Sequence, residues 1–142
     1  MSMPDDAPDT TRRPLTRDSI LSAALELVDT EGLDALTMRA LGARLGVEAM
    51  SIYHHLPSKQ AVIDGIVDLV WAEVTLTGET RDWRKAVRRT ARSAFTTLLR
   101  HPWANRIRAT SGGPARMAYI DASLEHLRRA GFTPEQAFHA HH

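Results

Sequence analysis

Residues 46–55, GVEAMSIYHH, place a hydroxyl, a phenol and two imidazoles within five positions behind a glycine: Ser51, Tyr53, His54 and His55. Groups of this kind hydrogen-bond to an outside partner, but nothing around them supplies catalysis. The chain holds no nucleophile–base pair, phosphate loop or paired carboxylates at catalytic spacing, so an enzyme is not expected and no catalytic residue is assigned. A second cluster, HAHH at 139–142, offers ligating nitrogens, with His139 and His142 three apart on one helical face. Without a carboxylate at matched spacing the pair is a poor metal site, and no metal or other cofactor is expected. The absence of cysteine excludes thiol nucleophiles, disulfides and thiolate zinc sites.

The elements that must position the 46–55 stretch are helices. Thr16 is suited to cap a first helix whose apolar residues Ile20, Ala24, Leu27 and Val28 follow a spacing of three to four, with Gly32 as its stop. Thr37 can cap a short second helix with Met38, Leu41 and Leu45 on one side, and Gly46 falls where a left-handed C-cap belongs. Next, EAMSIYHHL is about two turns long. Ile52 and Leu56 can face inward, leaving Ala49, Met50, Ser51, Tyr53, His54 and His55 on the outer faces. Pro57 and Ser58 then restart the chain as a long helix through Ala61, Ile63, Ile66, Val67, Val70, Trp71 and Val74, with Gly78 at its end. Two short helices joined by a tight glycine turn and braced by a third form a helix-turn-helix. Its second helix is narrow enough for the major groove of a DNA duplex if it shows small or hydrogen-bonding groups outward.

The remaining sequence keeps the helical period. DWRKAVRRTARSAFTTLLRHP sets Trp83, Val87, Ala91, Ala94, Phe95, Leu98 and Leu99 on an apolar face opposite arginines; PWANRIRAT reads as a short helix and SGG as a turn. PARMAYIDASLEHLRRAG is a further helix, and TPEQAFHAHH opens another with Thr133 as N-cap and Pro134 at its first position. No strand-like alternation interrupts this series. The fold class is therefore all-α: a disordered arm over 1–14, a three-helix helix-turn-helix domain over 15–60, and a helical regulatory domain over 61–142 joined by the long helix.

Composition sets outer limits. At 142 residues and 43% hydrophobic, the chain can bury one ordinary core, or a small domain plus part of another. No apolar run approaches the ~20 residues of a membrane span, and the polar start MSMPDDAPDTTRRP is no secretory signal, so a cytoplasmic protein without membrane partners is expected. The net charge of +1 gives no vote for a polyanion. Residues 1–64 carry six basic against ten acidic side chains, but residues 37–59 carry three against one.

The run LTMRALGARLGVEAMSIYHHLPSKQAVIDGI, Leu36 to Ile66, preceded by ILSAALELVDTEGLDA, resembles the tetracycline-repressor (TetR) family of bacterial regulators. Thr37, Gly46, Val47, Ser51, Ile52, Tyr53, His54, His55 and Lys59 match the family pattern in order. The resemblance implies that Thr37 and Lys59 meet phosphates from helix N-termini, with Tyr53 and His55 adding flanking phosphate contacts. Arg39 would reach a guanine edge, Ser51 would meet bases, and Ala49 and Met50 would do so through thymine methyls. His54 belongs to the same set. Glu48 would cap the recognition helix or accept from a cytosine amine, and Arg12 and Arg13 are minor-groove candidates. Ala49 stands where many relatives place an amide or hydroxyl. Gly42 is expected to loosen the second helix by roughly 1 kcal/mol relative to alanine.

From 82 onward, including GFTPEQAF, the chain is similar to the ligand-binding half of the tetracycline-repressor branch. The aromatic and methionine set Trp71, Trp83, Phe95, Trp103, Met117, Tyr119 and Phe132 reads first as core. Within it Trp71, Phe95, Trp103 and Met117 are the candidates for lining an inducer cavity. HPWANRIRAT does not clearly place His101 at the family's drug-binding histidine, so neither tetracycline nor magnesium is expected. Family members pair as homodimers through their last helices, which space two recognition helices roughly 34–36 Å apart on a palindromic double-stranded operator. This chain stops as the first of those helices begins, so it reads as C-terminally incomplete, which weighs against dimerisation. The expected function is a ligand-responsive transcriptional regulator, a repressor released from its operator by a small-molecule inducer. The alternative is a truncated helical interaction protein that has lost dimerisation and sequence-specific DNA binding.

Overall fold

The computed structural model describes residues 14–78, 81–107 and 113–141. Among these residues the regular structure is entirely helical: α1 (Arg17–Glu31), α2 (Met38–Leu45), α3 (Ala49–Tyr53), α4 (Lys59–Ala72), α5 (Trp83–Arg100), α6 (Pro114–Arg129) and α7 (Pro134–His141). Short 3-10 helices at Leu33–Ala35 and Pro102–Arg106 complete it. Thr16 opens α1 with a capping box. Its hydroxyl accepts from the Ser19 N–H at 3.0 Å, and Ser19 Oγ accepts from the Thr16 N–H at 2.8 Å. The stripe Ile20, Leu21, Ala24, Leu27 and Val28 is buried, and Gly32, with φ of 92°, turns the chain away. Gly65 lets α4 lie close on that stripe, since a Cβ there would stand 2.5 Å from Leu21 Cδ2.

Two glycines shape the turn between α2 and α3. Gly46 takes the left-handed conformation, φ 70° and ψ 31°. Gly42, read from the sequence as a weak point in a helix, is a close-approach site. The Val47 N–H donates to its carbonyl at 2.9 Å, and a Cβ at Gly42 would lie 2.7 Å from Val47 O. Ile52 is fully buried and Leu56 nearly so, which pins α3 to α1, α2 and α4 in one apolar cluster with Leu36, Leu41, Val62, Ile66 and Val70. Trp103 and Ala104 of the second 3-10 helix join the same cluster.

The second half packs differently. The buried positions of α5 are Ala86, Thr90, Ala94 and Thr97, whereas Phe95 and Leu99 are 65% and 63% exposed. The apolar face expected from the sequence is thus rotated: small residues face the neighbouring helices, and Ala91, Phe95 and Leu99 face solvent. Trp71 meets Tyr119 of α6 with ring centroids 4.9 Å apart, and Trp83 meets Phe132 edge-on at 5.5 Å. Asp68 of α4 caps α6 from outside, accepting from the Ala115 N–H at 2.9 Å where Gly113 has no side chain to do so. Thr133 and Gln136 form a reciprocal cap on α7.

Candidate nucleic-acid interface

The polar residues around α3 form one exposed face because Ile52 and Leu56 take the inward positions of a very short helix. Met50 is 69% and Tyr53 43% exposed, His54 and His55 are exposed, and Ala49 and Ser51 are half-buried at the edge of the contact with α2. Thr37 and Arg39 sit at the N-terminus of α2 and Lys59 at that of α4. Thr37 Oγ1 accepts from the Ala40 N–H at 3.0 Å, and Ser58 Oγ from the Ala61 N–H at 3.1 Å. Both helix N-termini therefore keep some free N–H groups and a positive dipole end, which suits phosphate oxygens.

Charges on this face differ in availability. Arg39 and Lys59 are exposed and have no hydrogen-bond or ion-pair partner among the described residues. Arg44, also on α2, is held at 3.2 Å from Glu26 and 3.8 Å from Glu31 of α1. Two of the acids that lower the charge of this half are thereby turned to tethering α2. Glu48 precedes α3 but makes no side-chain capping hydrogen bond; the expected cap is absent, and the first turn is closed by the Ser51 N–H donating to the Glu48 carbonyl at 3.0 Å. A five-residue helix with Gly46 and Val47 fixing its entry has little need of one. Arg12, Arg13 and His142 lie outside the described residues.

The four aromatic and methionine candidates for a ligand cavity do not converge. Trp71 stacks on α6, Phe95 is exposed, Met117 is 44% exposed, and Trp103 is buried in the main core with its indole N–H donating to Asp29 at 2.7 Å. A cavity of about 340 Å³ between α5, α6 and α7 is lined instead by Val87, Thr90, Tyr119, Ser123, His126 and Leu127 among others. His126 is buried, and its Nε2–H donates to the Thr77 carbonyl at 3.0 Å. Sequence reasoning missed this polar set because threonine, serine and histidine carry no apolar signature in a helical pattern.

It also missed a cluster around His101. The ring lies with Nδ1 2.7 Å from Asp29 Oδ1 and Nε2 3.0 Å from Glu73 Oε2, 72 and 28 positions away in sequence. Burial alone would lower the pKa of this ring. Hydrogen bonds to Asp29 and Glu73, with their negative charges, outweigh that effect and hold it above the ordinary value of 6.5. Among the described residues no group of three or more His, Cys, Asp or Glu side chains is arranged to hold a metal ion, and no helix is long and apolar enough to cross a membrane.

Two family models match parts of this chain. Residues 20–66 match the family model for bacterial regulatory proteins of the tetR family, and residues 77–142 match the tetracyclin repressor-like C-terminal domain. An HTH-type transcriptional regulator of Saccharopolyspora erythraea is 38% identical over 121 residues, covering 83% of this chain and 51% of the relative. ActR, a TetR family protein of Streptomyces coelicolor solved in complex with (S)-DNPA, superposes with a TM-score of 0.82 at 32% identity, covering 89% of this chain and 64% of that one. TetR from Acinetobacter baumannii AYE superposes with a TM-score of 0.72 at 31% identity, covering 89% of this chain and 68% of that one. The chain spans about half the length of the Saccharopolyspora relative.

Proposed function

The chain belongs to the TetR family of bacterial regulatory proteins, and from that premise we propose that it is a ligand-responsive, DNA-binding transcriptional regulator of the cytoplasm. The helix-turn-helix unit, residues 15–60, sets α3 in the major groove of a double-stranded operator. Thr37, Lys59, Tyr53 and His55 hold phosphates, while Arg39, Glu48, Ala49, Met50, Ser51 and His54 face base edges. The observation that carries this reading is the exposure of Arg39, Lys59, Tyr53, His54 and His55 on a helix-turn-helix unit whose Ile52 and Leu56 are buried. Cations without an internal partner can release counterions from DNA, which gives affinity and a strong dependence on salt.

Residues 61–142 form the regulatory part, and the protein acts as a repressor that a small-molecule inducer releases. The cavity between α5, α6 and α7 supports an inducer site: at about 340 Å³ it is small, largely apolar, and carries the few polar anchors Thr90, Ser123 and His126. An inducer acts by preferring the arrangement in which the recognition helices no longer fit the operator. Two copies on a palindrome complete the scheme.

Selection from a randomised duplex pool at two salt concentrations, with the complex weighed by light scattering, tests the proposal. A palindrome bound by two chains, with affinity falling steeply as salt rises, is the expected result. Absence of binding, or binding by one chain without sequence preference, overturns it and favours a helical interaction protein.

A further inference from the structure

His101 is 7% exposed and touches three elements. It follows the C-terminus of α5, Asp29 belongs to α1, and Glu73 follows the last residue of α4. Each ring nitrogen faces a carboxylate oxygen, at 2.7 Å and 3.0 Å. A neutral imidazole has one N–H and one lone pair, so it can serve only one of these oxygens and must turn a lone pair on the other. The doubly protonated ring serves both. We propose that His101 is a proton-operated clasp that ties the end of α4 to α1 and α5 while the ring is charged, and releases Glu73 when the ring loses its proton.

The surrounding charges decide which arm opens. Asp29 Oδ1 also accepts from the Trp103 indole N–H at 2.7 Å and is the shorter contact, so the remaining proton stays toward Asp29. Glu73 Oε2 has a second partner in the exposed Arg100 of α5 at 3.2 Å and can swing outward onto it. Beyond these, the groove that Asp29 also lines carries Glu31 of α1, Asp34 of the first 3-10 helix and Arg106 of the second, none of which bonds to the ring. The chain passes from the helix-turn-helix into the regulatory half through α4, so the clasp links the two halves at the end of that helix.

The sign follows from the charge. A ring whose folded pKa is raised contributes its stabilisation in full below its ordinary value of 6.5, and that contribution is lost as pH rises through the raised value. The test is NMR titration of the His101 ring in the 142-residue chain, with amide exchange at Glu73 and Val74 followed against pH after correction for the intrinsic rate. We expect the ring to titrate above 6.5 in the native chain, and E73Q to bring it down. Release should speed exchange at Glu73 and Val74 by at most about tenfold for each unit of the raise that E73Q removes. H101Q should remove this pH dependence while retaining a folded spectrum. Titration at or below the ordinary value, a titration unmoved by E73Q, or exchange that keeps the same pH dependence in H101Q overturns the clasp. None of these readouts requires DNA, so failure of the clasp is distinguishable from failure of the regulator reading.

Discussion

Arg39 and Arg44 lie five residues apart on α2, and their type and local spacing alone give no reason to treat them differently. The fold separates them. Arg44 is held by Glu26 and Glu31, whereas Arg39 has no partner among the described residues. The type and exposure of a charge can be inferred locally, but its partner depends on which helix packs against it. A double experiment follows. Replacing Arg39 by alanine should weaken duplex binding by about 1–3 kcal/mol and relax the preference at the base pair it meets. Replacing Arg44 should leave the base preference unchanged and cost at most ~1 kcal/mol of stability, because its acidic partners are exposed to solvent. Equal losses of base preference in the two variants would remove the distinction. The same reasoning explains why Met50, Tyr53, His54 and His55 were legible as an outward set, with Ala49 and Ser51 only half-exposed. Once Ile52 and Leu56 are assigned inward, the two-turn segment leaves few other directions for its neighbours.

The caps of the helices and the stops at Gly32 and Gly46 were readable because they are local, whereas α4 ends at Ala72, short of the Gly78 expected to stop it. Thr16, Thr37 and Thr133 each accept the expected backbone N–H, and Gly46 has the left-handed conformation its position demands. Faces and close approaches were less readable because they depend on neighbours. The arithmetic of apolar spacing put Phe95 and Leu99 on the inner face of α5, yet the positions that its neighbours fully bury are Ala86, Ala94 and the threonines Thr90 and Thr97. Thr90 can be buried because Thr77 gives it a hydroxyl partner at 3.2 Å, a pairing thirteen residues away that no periodicity announces. Gly42 is the sharpest case. Helix propensity alone predicts that alanine there stabilises α2 by about 1 kcal/mol. The 2.7 Å approach of a Cβ to Val47 O predicts the opposite, since backbone must move to relieve it. Gly42→Ala should lower stability by ~1–3 kcal/mol in urea denaturation and weaken duplex binding, because the displaced turn carries α3. A rise in the denaturation midpoint would favour propensity and discount the contact.

Across the whole molecule, apolar burial is unevenly spread. Ile20, Leu36, Leu41, Ile52, Val62, Ile66 and Val70 are fully buried in one cluster built from α1 to α4, with Trp103 closing it. The all-helical class and the position of this first core were legible, since its large aliphatic residues recur at helical spacing in each segment. The interior of the second half was not, because the buried residues of α5 to α7 are alanine, threonine and histidine: Ala86, Thr90, Ala94, Thr97, His126 and Ala137. At roughly 25 cal/mol per Å² of apolar area, side chains so small stabilise α5 to α7 less than the aliphatic cluster stabilises α1 to α4. Phe95, Leu99, Met117 and Phe138 remain exposed and add little. Native-state hydrogen exchange on this 142-residue chain should therefore rank the helices, with the slowest amides in α1 and α4 and the fastest in α7. The 3-10 helix carrying Trp103 should exchange with the first group despite lying after α5, because its indole is built into the first core. If α6 and α7 were protected to the same degree as α1, the second half would owe its stability to something other than apolar burial, and its polar pairs, Thr77 with Thr90 and His126 with the Thr77 carbonyl, would have to bind far more strongly than the ~1 kcal/mol typical of a neutral hydrogen bond.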